Sequence, residues 1–136
     1  MATMFTQIMT GELPGHIVYR DDICVAFLSI APHAPGHTLV VPIAEVDNWL
    51  DLDRKTLSHV MATSHDVAKA LEAEFGPPRV GLMIAGFEVP HAHVHLIPMN
   101  TVTDLDFANA KPTDDDTLRN VADRIRLRLT TDTWTE

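Results

Sequence analysis

Apolar and polar positions change period several times along the chain, and each change marks a predicted element. Met4 to Met9 is a short apolar stretch closed by Thr10-Gly11, which reads as one or two helical turns, with Glu12-Leu13-Pro14-Gly15 as a loop behind it. Ile17-Val18-Tyr19 and Cys24-Val25-Ala26-Phe27-Leu28 are β-branched and aromatic runs flanking Asp21-Asp22, the pattern of a hairpin. A loop at Ala31-Pro32-His33-Ala34-Pro35-Gly36 separates them from a third strand over His37 to Pro42.

The period then lengthens. From Asp53, placed to cap a helix N-terminus, Leu57, Val60, Met61, Val67, Ala68, Leu71 and Phe75 recur at helical spacing until Gly76-Pro77-Pro78 ends the pattern. Two more strands are expected over Arg79 to Ala85 and His91 to Met99. Thr103 to Pro112 reads as an irregular surface loop. Leu118, Val121, Ala122, Ile125 and Leu129 mark a second amphipathic helix over about residues 114–129, with Arg119, Arg124, Arg126 and Arg128 expected on a solvated face. The expected class is α+β, a single domain over residues 1–136 built on an antiparallel sheet.

Within the run Pro90 to Pro98, which holds most of the last expected strand, histidine alternates with apolar residues at His91, His93 and His95. In a strand, side chains at i, i+2 and i+4 share a face, with α-carbons about 6.6 Å apart per step. Three imidazoles therefore line one surface while Ala92, Val94 and Leu96 point into a core. Histidine titrates near neutral pH and offers a nucleophilic or metal-binding nitrogen whose tautomer is set by the partner of the other nitrogen. One ring attacking phosphorus while its neighbours hold oxygens is one use of this surface. A metal site is another, since His-x-His on a strand presents two imidazoles to an ion. Leu96 to Val102 contains no acid to complete such a site from downstream. The plain alternative, half-buried polar residues with no role in chemistry, suits one histidine better than three in strict alternation.

The formal net charge of −9 speaks against non-specific nucleic-acid binding. Cys24 is the only cysteine, so no internal disulfide forms and no site with two cysteines exists. Residues 1–15 lack a basic start and a continuous apolar run, and no apolar stretch approaches about 18 residues. The expectation is a cytoplasmic protein that neither spans nor anchors to a membrane.

The triad with its upstream segment, Ala34-Pro35-Gly36-His37-Thr38-Leu39-Val40-Val41-Pro42, resembles the histidine triad superfamily of nucleotide hydrolases and transferases. Gly11-Glu12-Leu13-Pro14, Tyr19-Arg20-Asp21-Asp22 and Ala26-Phe27 stand at the spacing this family has, so the resemblance spans roughly residues 4–100. It implies a five-stranded antiparallel sheet with a main helix packed on it, and a homodimer. It implies a nucleotide substrate, attacked at its α-phosphorus by His93 to give a covalent nucleotidyl-histidine that water resolves. Phosphoramidates, nucleotide anhydrides and dinucleoside polyphosphates are the substrate classes. By the same resemblance His95 and His37 contact phosphate oxygens or the leaving group, His91 supports the constellation, and no metal or cofactor takes part. Phe5, Ile8, Leu28 and Ile30 fall where the family lines its base pocket.

This sequence departs from the family pattern in three places. Phe87 and Glu88 follow Gly86 where members carry polar residues that bind phosphate and help the leaving group; Phe87 cannot donate, and Glu88 repels phosphate unless it turns away or meets a cationic leaving group. Ser29 stands where an aspartate grips the ribose hydroxyls. Thr3, Thr6 and Glu45 occupy the cysteine and non-triad histidine positions of the structural zinc that some bacterial members bind, so that zinc is not expected here. A nucleotide-binding regulatory module with little turnover, and a metal-dependent enzyme, are the competing functions.

Overall fold

The computed structural model describes residues 2–131. Its elements in chain order are α1 (Met4–Thr10), β1 (Ile17–Arg20), β2 (Cys24–Leu28), β3 (Thr38–Pro42), α2 (Arg54–Phe75), β4 (Arg79–Met83), β5 (Val94–Met99) and α3 (Asp115–Thr131). The strands form one five-stranded sheet in the order β1-β2-β3-β5-β4, with each neighbouring pair antiparallel. This is the expected α+β architecture.

Alternation along the strands gives the sheet two different faces. Cys24, Ala26, Val40, Val94 and Leu96 pack with Val60, Val67 and Leu71 of α2 and Leu118, Val121, Ala122 and Ile125 of α3. Their neighbours Val25, Phe27, Leu39 and Val41 join Phe5 and Ile8 of α1 and Val89 on the other face. The register Leu39↔His95 places His95 on the α1 face, as its position next to the core residues Val94 and Leu96 requires.

Helix α2 keeps the limits its sequence indicates. The Asp53 carboxylate accepts the Thr56 N–H, and Gly76 closes the helix at φ 60°, a left-handed conformation that suits glycine. The arginines of helix α3 lie on its exposed and half-exposed side, as expected, and several are also paired. Arg124 and Arg128 both pair with Glu74 of α2, and the Arg126 guanidinium donates to the Ile17 carbonyl of β1.

The last two expected strands are shorter than the sequence indicates. β5 begins at Val94, so His91, at a bend, and His93 precede it outside the strand ladder. The cause lies in β3, whose final Pro42 has no N–H to offer and whose carbonyl is taken by the His91 ring. The Ala92 N–H turns instead to the Val46 carbonyl. With β5 starting late, β4 ends at Met83, which pairs with His95, rather than at Ala85. The expected loop after β5 contains two 3₁₀ turns, Val102–Leu105 and Phe107–Asn109. Trp134, an apolar residue in an otherwise polar C-terminal stretch of sequence, lies outside the described residues.

Candidate active site

His37, His91, His93 and His95 are all buried, at 0–4% exposure, on the α1 face of the sheet. Phe5 of α1 packs edge-on to the His93 ring at 4.9 Å, and His93 lies 4.8 Å from His95 between centroids. The hydrogen bonds fix which nitrogen of each ring carries hydrogen. The backbone N–H of His33 donates to His37 Nδ1 at 3.1 Å, so in the neutral ring the hydrogen sits on Nε2. That Nε2–H donates to His95 Nδ1 at 3.0 Å. The His95 hydrogen is thereby placed on Nε2, which donates to Glu88 Oε2 at 2.9 Å. Burial, then the neighbouring imidazole, pulls the pKa of His37 down to about 3 and that of His95 to about 4, so both rings are neutral at pH 7.

His93 is held differently. Its Nδ1–H donates to the His91 carbonyl at 2.7 Å, which leaves Nε2 as the free nitrogen. Nε2 lies 3.3 Å from the same Glu88 oxygen. A lone pair does not hydrogen-bond to a carboxylate, so this contact is a hydrogen bond only when a proton lies between the two groups. Burial works against the charge on Glu88, but its own backbone N–H and the adjacent His93 and His95 outweigh it and hold the carboxyl below its usual range.

His91 sits behind this group. Its Nε2–H donates to the Pro42 carbonyl at 2.7 Å, and its Nδ1 lies 2.7 Å from Thr3 Oγ1. Burial lowers the pKa of His91, so the neutral ring accepts the threonine hydrogen. Thr3 also accepts the Thr6 N–H, and its own N–H donates to Glu45. Thr3, Thr6, Glu45 and His91 thus close into a hydrogen-bonded group at the N-terminus of α1. Without a thiolate, and with His91 Nδ1 taken by a hydroxyl, these residues do not fit a structural zinc.

A cavity of about 320 Å³ opens beside the histidines. Of the residues expected to bind nucleotide, Phe5, Ile8, Leu28, Ser29, Ile30 and Glu88 line it with His37, His93 and His95. Phe87 does not. It is 97% exposed and belongs to a separate cleft beside Asp47 and Trp49, because the chain turns at Gly86 and sends neighbouring side chains apart. His33, which the sequence places in a loop, joins the site through its N–H and through its ring, 4.6 Å from that of His37. Phe107, from the expected surface loop, closes edge-on over His95 at 5.5 Å. Neither has a local signal in sequence, since both reach the histidines only when distant loops meet.

Among the described residues, two groups bring potential metal ligands together. Glu88, His93 and His95 present ligand atoms within 4.8 Å of one another, and so do Asp21, Cys24 and His59. In the first, His95 Nε2 carries the hydrogen that the chain from His33 assigns to it, so an ion there has to reverse the His95 tautomer and with it that of His37. In the second, Asp21 is occupied by the N–H groups of Ile23 and Cys24, the Tyr19 hydroxyl and His59 Nε2.

Residues 10–102 match the family model of the HIT domain. The chain belongs to the HIT family. A HIT-like protein of Borreliella burgdorferi is 36% identical over 102 residues, covering 70% of this chain and 73% of that one. Among solved structures, a HIT-like protein involved in cell-cycle regulation from Bartonella henselae superposes with a TM-score of 0.82 at 32% identity, covering 93% of this HIT protein and 96% of its own chain. A hypothetical histidine triad nucleotide-binding protein from Sulfolobus tokodaii superposes at 0.81 and 27% identity, over 93% and 91% of the two chains.

Proposed function

We propose that this HIT protein is a nucleotidyl hydrolase or transferase that acts through a covalent nucleotidyl-histidine at His93. The observation that carries this reading is the His93 tautomer. With Nδ1–H held by the His91 carbonyl at 2.7 Å, Nε2 is the nitrogen turned to the cavity. It attacks the α-phosphorus of a nucleoside phosphoramidate, nucleotide anhydride or dinucleoside polyphosphate, and water then resolves the intermediate. His95 Nε2–H donates to a phosphate oxygen, oriented by His37 at its other nitrogen. His91 acts through its backbone carbonyl, which positions the nucleophile. The apolar wall of Phe5, Ile8, Leu28 and Ile30 takes the base, and Ser29 faces the sugar. No metal or cofactor has a role in this scheme, and the protein is taken to work in the cytoplasm as a homodimer.

The hydrogen on His95 Nε2 favours this reading over the metal-dependent enzyme, because a metal ligand needs a lone pair at that atom. The deciding experiment mixes protein with adenosine and guanosine phosphoramidates, quenches rapidly without acid and weighs the protein. A nucleotidyl adduct on His93, absent from His93→Ala together with turnover, is the expected result. A His93→Ala protein that keeps full turnover refutes the assignment, and tight nucleotide binding without turnover by the wild-type protein indicates a regulatory module.

A further inference from the structure

Glu88 sits where a negative charge is least welcome. A phosphate presented to His93 Nε2 and His95 Nε2–H has to enter the space the Glu88 carboxylate now holds, 3.3 and 2.9 Å from those atoms. Whenever a proton sits on His93 Nε2 the nucleophile has no lone pair, and as long as Glu88 is charged it repels the substrate. Transfer of that one proton to Glu88 removes both obstacles at once.

His95 is the other donor in reach of a leaving group, but the hydrogen bonds behind it run to a dead end. His95 is held by His37 and His37 by the backbone N–H of His33, an amide that does not give up its hydrogen. A proton lost from His95 is therefore not replaced along that chain. The Glu88 side chain is 35% exposed and exchanges protons with solvent directly, while those of His93 and His95 are 1% and 5% exposed.

Resting on the reading of His93 as nucleophile, we propose that Glu88 is a catalytic residue, the general acid that protonates the leaving group and then the general base that activates water. In the first step the His93 Nε2–phosphorus bond forms as the bond from phosphorus to the leaving atom breaks. The electron pair goes to that atom, and Glu88 supplies its proton. In the second step Glu88 takes a proton from water as its oxygen bonds to phosphorus, and the electron pair of the nitrogen–phosphorus bond returns to His93. The proton is then back between Glu88 and His93. Substrates whose leaving group needs a proton, amines above all, are the class this arrangement serves.

The test compares the first step on two substrates, a nucleoside 5′-phosphoramidate and the p-nitrophenyl ester of the same nucleotide, whose leaving group departs without a proton. Single-turnover rates are measured for wild type, Glu88→Gln and Glu88→Ala. General acid catalysis contributes roughly 10²–10⁴-fold. In both variants the loss on the phosphoramidate should therefore exceed the loss on the ester by about 100-fold or more, and across a series of aryl esters the rate should depend more steeply on leaving-group pKa than in wild type. Equal losses on both substrates, or no loss on either, overturn the role of Glu88 while leaving the His93 adduct intact. If wild-type protein forms no adduct on His93, the proposed function fails first and this proposal with it.

Discussion

Ser29 shows how much one side chain decides. Its hydroxyl oxygen accepts the Ala31 N–H at 3.2 Å, so a single hydrogen remains to donate toward a sugar. A carboxylate there makes charge-assisted bonds worth about 1.5–3 kcal/mol each, whereas a hydroxyl makes one neutral bond of about 0.5–1.5 kcal/mol. Selectivity for ribonucleotides over 2′-deoxynucleotides should thus be weaker than in an aspartate variant, Ser29→Asp, by about tenfold for each 1.4 kcal/mol. Specificity constants for matched ribo and deoxyribo phosphoramidates check this, and a Ser29→Asp protein with unchanged selectivity contradicts it. At this scale the residue types of the site were legible in the sequence: three alternating histidines, His37, and an acid at Glu88. Their bonding was not, because it depends on which nitrogen meets which carbonyl. The contrast between Glu88 and Phe87 is of this kind, adjacent residues of which only one turns to the cavity.

The loop from Ser29 to His37 works as an element without regular structure. Its Ser29 N–H donates to the His37 carbonyl, and its His33 N–H orients the His37 ring. Gly36 makes it possible, with φ 93° and a surface against which an added Cβ meets the Phe75 ring at 2.7 Å and Pro98 at 3.2 Å. Gly36→Ala should lose about 1–3 kcal/mol of stability from overpacking and backbone strain, and turnover should fall further than stability explains as His37 shifts. Urea unfolding alongside kcat measures both; a stable variant with normal kcat counts against this account. The β1–β2 turn makes a parallel case, with Asp21 accepting from Ile23, Cys24, Tyr19 and, through His59, holding α2. These bonds outweigh the cost of burying Asp21 and hold its carboxyl well below the usual range. Asp21→Ala should cost at least about 2 kcal/mol, read by the same unfolding curves. Helix α2 could be read end to end because its cap and stop are local. The ends of β4 and β5 could not, because they depend on how far β3 remains available as a partner.

Across the whole molecule, helices α2 and α3 cover one face of the sheet and the buried histidines lie on the other, and pH connects that histidine face to stability. His37 and His95 have folded pKa values of about 3 and about 4 against a usual 6.5, so between those limits the unfolded chain binds more protons than the folded one. Stability must therefore fall as pH drops from about 6.5 toward 4. Urea midpoints over that range should decrease, and less so in His37→Asn; a flat profile excludes the effect. Net charge sets a second expectation. With −9 overall and no lysine or arginine among the described residues lining the cavity, an anionic substrate is repelled at long range. Salt should raise kcat/KM, and a fall with salt indicates a cationic approach path instead. The α+β class followed from hydrophobic period and the five-stranded plan from the family resemblance; the opening of the cavity between loops far apart in sequence did not. The His33–His37–His95 chain then has an electrostatic consequence. Its three hydrogens all point the same way, so the bond dipoles add and present their positive end at His95 Nε2. Neutral rings can in this way hold an anion without a formal cation, leaving that attraction in place at pH values where every free imidazole has lost its charge.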